Sequence, residues 1–241
     1  MKKYYTRACN FYYGFNAKLL IKKKLALPLC GNHYIAFDKI ELITRQNNKI
    51  YTKTVNFKKV NLFNASARKK VKYDLKNIIS KRKNFLNNIN FLNPSVMGIL
   101  NLTPDSFSDG GKFNSIKKSK RHIQSMIKSG ANIIDVGGES TRPGSKTVEP
   151  NKEWKRIFST LSQVKKIKTM LSLDTRKSSV MIKGIKNNVN LINDVSGLQY
   201  DPNTIIVLKK TNIPFVINHT QGNPNTMQKN PKYKNVLLDI Y

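Results

Sequence analysis

Five short apolar runs between residues 96 and 220 decide the fold. They read VMGILNL (96–102), NIIDVGG (132–138), MLSLDT (170–175), LINDV (191–195) and PFVINHT (214–220). Continuous apolar runs that alternate with helical patterns are typical of parallel strands buried on both faces. Helices are predicted between them, near 115–129, 150–168, 177–187 and 202–210. The repeated β/α unit, without a dinucleotide-binding fingerprint, favours an α/β fold of the (β/α)8 TIM-barrel type over a Rossmann sheet, here with about five of the eight strands.

Polar residues recur at the point where each of these strands ends. They are Asn101, then Asp135 with Glu139, then Asp174, then Asn193 with Asp194, then Asn218 with His219. A single residue of this kind is most often a helix cap or a turn former. Five consecutive strands with the same feature instead indicate a shared site, because the carboxyl ends of barrel strands form the active-site face.

The region before the first of these strands has a different pattern. Its strand-like and helical runs are Tyr4–Tyr13, Tyr34–Thr44, Lys49–Val55 and Ala67–Asn90. It carries no recognisable catalytic constellation. We therefore expect two domains, a basic N-terminal extension forming a small α/β cap in residues 1–93 and an incomplete barrel in residues 94–241.

The chain is strongly basic, with 44 Lys and Arg residues against 13 Asp and Glu residues and a net charge of +31. The excess is spread along the whole chain and is not interleaved with aromatic residues in a nucleic-acid-binding pattern. We therefore expect no specific nucleic-acid partner. A positive field would still help to recruit an anionic substrate.

The lack of a recognisable targeting signal and the cysteine usage lead us to expect a cytoplasmic protein. No run of 18 apolar residues occurs, so no membrane helix is expected. The basic and apolar stretch 22–30 is short, contains Pro28 and lies too far from Met1 for a signal peptide. Cys9 and Cys30 have no metal-ligand spacing, and two cysteines in a chain of this length suit a reducing compartment.

The strand ends and the loops after them carry longer motifs. These are MGILNLTPDSFSDGG (97–111), GANIIDVGGESTRPGS (130–145), LSLDT (171–175), LINDVSG (191–197) and NHTQGNPNTMQ (218–228). In order and spacing they strongly resemble bacterial dihydropteroate synthase, over about residues 94–241. The first two motifs also separate that family from the pterin-dependent methyltransferases, which share its barrel and pterin pocket.

The resemblance implies a transferase of folate biosynthesis. The family condenses 6-hydroxymethyl-7,8-dihydropterin diphosphate with 4-aminobenzoate and releases diphosphate. Asp174 and Asn193 match its pterin-binding positions, and a carboxylate beside an amide suits the donors and acceptors of a pterin edge. Asn101 matches the position that contacts Mg²⁺ and diphosphate, so the resemblance implies Mg²⁺ as a cofactor.

Further substrate contacts are implied in the first two loops. Thr141 matches a substrate-binding position, and we assign the neighbouring Arg142 to anion binding and loop closure. By analogy with the family, Phe107 and Pro143 border the 4-aminobenzoate. His219 is expected near the pterin without acting as a base, so no catalytic residue is assigned.

The last three strands of the family barrel have no counterpart in the chain. In the family they supply an aspartate, a lysine, and an arginine with a histidine. We therefore expect a fragment of a longer protein, or a chain with weak or no activity of its own. A pterin-dependent methyltransferase and a non-catalytic pterin-binding fragment remain as alternatives, and the family analogy allows a homodimer.

Overall fold

The protein is described from a computed structural model. The structure describes residues 2–47, 49–84, 86, 89, 94–103, 116–140, 145–164, 168–222, 226 and 230–241, without the side chains of residues 163 and 164. The chain divides into two compact units, Met1–Asn84 and Phe85–Tyr241. The expected division into a cap and an incomplete barrel, with its boundary after residue 93, stays a prediction.

The N-terminal unit is built on an antiparallel sheet. Its strands are β1 (Lys3–Tyr13), β2 (Leu27–Leu29), β3 (Asn32–Gln46) and β4 (Lys49–Asn56). Its helices are α1 (Gly14–Lys22), a 3₁₀ helix at Phe57–Leu62, and α2 (Ala65–Ile79). The long β3 pairs with β1 along one edge, and with β2 and β4, one after the other, along its second edge.

The core of this unit forms where β3 meets α2. Phe37 and Ile40 on β3 and Val71 on α2 are fully buried in one hydrophobic cluster. The helix begins after Asn64, whose side chain accepts a hydrogen bond from the N–H of Ala67 at 2.9 Å and so satisfies a donor at the helix start.

The predicted helix Ala67–Asn90 is too long. The backbone of Ser80 is extended, with ψ at 139°, and the carbonyl of Ile78 accepts the N–H of Cys30 instead of continuing the helical ladder. The sequence analysis also missed α1, which buries only Ala17 fully and therefore lacks a clear apolar period.

The C-terminal unit is built on a parallel sheet whose strands lie in chain order. They are β5 (Met97–Asn101), β6 (Ile133–Gly137), β7 (Met170–Asp174), β8 (Leu191–Asp194) and β9 (Phe215–Ile217). Helices follow each strand: α3 (Ile116–Lys128), α4 (Pro150–Val164), α5 (Ser178–Lys186), α6 (Asn203–Thr211) and α7 (Val236–Ile240). This order lacks the reversal of a Rossmann sheet, and the predicted barrel-type α/β fold with five parallel strands is confirmed.

The two faces of the parallel sheet have different contents. One face packs against the helices and forms the main hydrophobic core, which includes Ile134 and Leu173 of the strands, Ile123 of α3 and Met181 of α5. The other face, which is the interior face of a barrel, is layered. Its lowest layer is apolar, and its upper two layers carry the polar residues of the candidate site.

The apolar layer fixes the start of the strands. Met97, Ile133 and Met170 are neighbours in the strand register. Ile133 and Met170 are buried together with Ile89, and Leu86 packs against this cluster. The polar residues of the interior face therefore lie above an apolar layer in which Ile133 and Met170 are buried.

Candidate functional site

One row of residues crosses the carboxyl ends of the strands. In the register it runs Asn101, Gly137, Asp174 and Asn193, and it ends at Val216 on β9. Neighbours in register on parallel strands point to the same face, and this face is the barrel interior. A Cβ built on Gly137 would lie 3.3 Å from Oδ2 of Asp174 and 3.5 Å from Oδ1 of Asn101. The two side chains therefore converge over the glycine, where a larger residue would occupy the space between them.

The carboxyl group of Asp174 lies in an environment that disfavours its charge. Burial at the strand end, and behind it the carboxylates of Asp135, Glu153 and Asp194, raise the pKa of Asp174 to about 8. The carboxyl group of Asp174 therefore favours its protonated form at neutral pH. A ligand that brings N–H donors would favour the ionised form, which makes this group a recognition element with a strongly perturbed pKa.

Asp135 lies one layer below the row and is 5% exposed. Its Oδ2 accepts a hydrogen bond from Nδ2 of Asn193 at 2.9 Å. The Oδ1 of Asn193 accepts in turn from Nδ2 of Asn218 at 3.4 Å. Among the described residues, Oδ1 of Asp135 and the hydroxyl of its register neighbour Ser172 are buried without a hydrogen-bond partner.

Asp194 forms a turn and lies outside the site. It is fully buried, and its Oδ1 accepts from the N–H and the hydroxyl of Ser196 at 2.8 and 2.7 Å. Its Oδ2 accepts from the N–H of Leu198 at 3.1 Å. The alternative role of a helix cap fails for Asp174, because the N–H of Ser178 at the start of α5 donates to Asp201 instead.

A buried ion cluster supports the row from behind. Lys177, with a side chain 4% exposed, donates to Oε2 of Glu139 at 2.5 Å and to Oε2 of Glu153. The hydroxyl of Thr175 donates to Oε1 of Glu153 at 2.6 Å, and Arg176 donates to Oε1 of Glu139 at 2.9 Å. Burial alone would raise the pKa of Glu139, but the hydrogen bonds from Arg176 and Lys177 hold it below its ordinary value.

The cluster joins three segments of the C-terminal unit. Oε1 of Glu139 also accepts the N–H of Val148 at 3.1 Å, which closes the base of the loop between β6 and α4. A Cβ built on Gly138 would lie 2.9 Å from the carbonyl oxygen of Glu153, so a glycine is needed for α4 to approach. The three residues that follow Asp174 are therefore fixed against both β6 and α4.

The structure brings together three of the predicted site residues: Asn101, Asp174 and Asn193. The other four, Phe107, Thr141, Arg142 and Pro143, lie outside the described residues. His219 is exposed, and its Nε2 lies 2.9 Å from the hydroxyl of Tyr233.

Sequence reasoning missed two parts of the site. It listed Asp135 as a strand-end residue without a role, and it gave no role to Lys177. The signal for Asp135 was present, since it stands two residues before Gly137 and so on the same strand face. Lys177 carried no such signal, because a lysine at a helix start looks like the many surface lysines of this chain.

Neither a metal cluster nor a membrane helix is found in the described part of the chain. No group of three or more His, Cys, Asp or Glu side chains there could hold a metal ion. No helix among those residues is long and apolar enough to span a bilayer.

The parallel sheet and its polar row define a pterin-binding barrel. Residues 97–240 match the family model described as "Pterin binding enzyme". This match covers more than half of the chain and all five parallel strands, and the chain belongs to this family.

The particular relatives are dihydropteroate synthases, which confirms the resemblance drawn from the motifs. The enzyme of Escherichia coli K12 is 43% identical over 148 residues, which are 61% of this chain and 52% of that protein. The enzyme of Bacillus subtilis is 44% identical over 131 residues, which are 54% of this chain and 46% of that protein. The chain thus spans about half the length of the curated relatives it matches.

Solved structures agree with this assignment. The Yersinia pestis dihydropteroate synthase in a sulfonamide drug complex has a TM-score of 0.59 and 40% identity, covering 63% of this chain and 55% of that chain. The Xanthomonas albilineans enzyme with 4-aminobenzoic acid has a TM-score of 0.55 and 33% identity, covering 63% and 53%. The Burkholderia cenocepacia enzyme complexed with 7,8-dihydropteroate has a TM-score of 0.54 and 34% identity, covering 63% and 51%.

Proposed function

We propose that this chain carries the pterin half of a dihydropteroate synthase site. The reaction joins 6-hydroxymethyl-7,8-dihydropterin diphosphate to 4-aminobenzoate through a C–N bond and releases diphosphate. The observation that carries the proposal is the row of Asn101, Asp174 and Asn193 at the carboxyl ends of three parallel strands. The sulfonamide, 4-aminobenzoic acid and dihydropteroate complexes of the related enzymes support the substrate class.

Asp174 would recognise the pterin through paired N–H donors. Its pKa of about 8 favours the protonated form, and the proton would be released when such donors make the ionised form the better acceptor. Asn193 would add an amide contact beside it. A charge-assisted pair of hydrogen bonds from the ligand to Asp174 is the stronger of these contacts.

Asn101 would lie at the diphosphate end of the ligand. Its exposed amide oxygen is one hard donor, which fits Mg²⁺ when diphosphate oxygens and water complete the coordination shell. When bound, the ion would offset the negative charge on the leaving group. We expect Mg²⁺ to tighten binding of the pterin diphosphate but not of the unphosphorylated pterin, and N101A to abolish that difference in titration calorimetry.

The pterin site is tested by calorimetry with 6-hydroxymethyl-7,8-dihydropterin diphosphate and Mg²⁺. D174N should weaken binding by about 100-fold, because it removes the charged acceptor from a buried site. The control is D201N, the same change of carboxylate to amide in the turn that caps α5. Binding that is absent in the unmodified chain, or equal in D174N, would overturn the proposal.

The reaction is tested with 4-aminobenzoate and the pterin diphosphate together. Release of diphosphate that depends on 4-aminobenzoate supports the synthase. Pterin binding without product would instead favour the non-catalytic alternative, and methyl transfer from a methyl-pterin to a corrinoid would favour the methyltransferase. We place the protein in the cytoplasm, a choice supported by the free thiols of Cys9 and Cys30. The homodimer stays a proposal by family analogy.

A further inference from the structure

We propose that Asp135 is a specificity-determining positioning residue, which orients the Asn193 amide so that the site turns oxygen acceptors toward its ligand. The inference rests on the proposed pterin site and deepens it by stating which chemical edge that site selects. It concerns a residue outside the row itself, in the layer directly below.

The orientation of the Asn193 amide follows from its two neighbours. A carboxylate oxygen only accepts hydrogen bonds, so the group 2.9 Å from Oδ2 of Asp135 has to be the NH₂ of Asn193. The other end of the amide agrees, since Oδ1 of Asn193 accepts from Nδ2 of Asn218 at 3.4 Å. The amide therefore keeps its donors against the protein and its oxygen free for one further hydrogen bond.

The site therefore presents adjacent hydrogen-bond acceptors to its ligand. Asn193 contributes its Oδ1, and Asp174 contributes a carboxyl group in the adjacent register position. A ligand edge that carries adjacent N–H and NH₂ donors complements these acceptors. A ligand with a carbonyl oxygen in place of the NH₂ group would set acceptor against acceptor.

The unused oxygen of Asp135 separates it from a purely structural aspartate. Asp194 is buried to the same degree, and both of its oxygens accept hydrogen bonds from the turn that it holds. Asp135 uses Oδ2 alone, while its Oδ1 and the hydroxyl of Ser172 are buried without a partner in the described residues. Buried polar atoms need partners, so the ligand, or a water that travels with it, has to supply a donor here.

The test compares two probes, pterin and lumazine. Lumazine has a carbonyl group in place of the 2-amino group of pterin. Calorimetry should show the unmodified chain preferring pterin by about 100-fold, because lumazine sets a carbonyl oxygen against the acceptors of Asp174 and Asn193. D135N should reduce this preference by about 10-fold, since an amide facing an amide no longer fixes the Asn193 orientation. D201N, which changes a carboxylate outside the site, should keep the full preference.

A swapped pair covers the case in which D135N does not fold. The double variant D135N/N193D again places an amide against a carboxylate, keeps the net charge and turns an oxygen to the ligand. It should retain the preference for pterin to within about 3-fold. Loss of the preference in the swapped pair, or an unchanged preference in a folded D135N, would overturn the inference. A chain that binds neither probe would instead contradict the proposed function.

Discussion

The two units of the chain use charge in opposite ways. Residues 1–84 contain 21 basic and 3 acidic side chains, and the partners in their ion pairs are partly exposed, as in Arg7 with Glu41. Residues 85–241 contain 23 basic and 10 acidic side chains, and four acidic side chains of the described residues there are buried: Asp135, Glu139, Glu153 and Asp194. Excess charge is a property of the whole sequence, whereas the buried carboxylates of the described residues all lie in the C-terminal unit. The distribution of buried carboxylates, and not the high net charge, therefore distinguishes the unit that carries the site.

The largest effect is expected from breaking the buried ion cluster. K177M leaves Glu153 buried without a cation and Glu139 paired with Arg176 alone, which should lower the free energy of unfolding of the C-terminal unit by roughly 3–5 kcal/mol. Trp154 in α4 is the single tryptophan of the chain, so its fluorescence in a urea titration reports on this unit.

The control for this change is K209M, which removes an exposed lysine from α6 and should change the unfolding free energy by less than about 0.5 kcal/mol. A loss in K177M no larger than in K209M would mean that the cluster is not a buried one in solution.

A smaller effect, and one that depends on pH, is expected from Asp174. Its pKa is about 8 in the folded chain and near 4 when unfolded, so the folded state holds a proton that the unfolded state has lost across this range. The stability contributed by this group is complete below about pH 4, falls as the pH rises, and is lost above about pH 8. D174N removes this loss and should be more stable than the unmodified chain by roughly 1–3 kcal/mol at pH 8.

Urea titrations of D174N and the unmodified chain at pH 5 and pH 8, followed by Trp154 fluorescence, check the sign of this pH dependence of stability. The advantage of D174N should grow with pH. An advantage that shrinks with pH, or stays constant, would contradict the raised pKa of Asp174.

The smallest effect is expected in the N-terminal unit. Arg7 is 51% exposed and lies 2.7 Å from Glu41, so this pair is screened by solvent. R7M should change stability by less than about 1 kcal/mol in thermal melts followed by circular dichroism. E41Q serves as the partner control, and a loss in either variant as large as that in K177M would remove the contrast between the units.

The sequence predicted the parallel sheet well because its signals are local. The five predicted strands overlap those observed with ends shifted by at most three residues, since each apolar run is bounded by polar loops. Asp174 and Asn193 could be predicted as neighbours because the carboxyl ends of parallel strands meet at one edge. Asn101 followed from the same rule.

Other features depend on contacts between distant parts of the chain. Lys177 and Glu139 are separated by 38 positions, and no periodic sequence pattern predicts their ion pair. At the end of α2, the carbonyl of Ile78 accepts a hydrogen bond from the N–H of Cys30, which lies 48 positions earlier in the chain. Features of this kind are set by tertiary packing, so a local sequence pattern does not predict them.

Hydrogen exchange with and without 6-hydroxymethyl-7,8-dihydropterin diphosphate and Mg²⁺ tests the central claim most directly, because it reads both units in one experiment. We expect the ligand to slow exchange in peptides covering 133–139, 170–177 and 191–198, where the row and its supporting turn lie. Peptides covering 32–46 of the N-terminal sheet should exchange at an unchanged rate. Unchanged exchange at the three strand ends, or protection confined to residues 32–46, would contradict a pterin site at the carboxyl ends of the parallel strands.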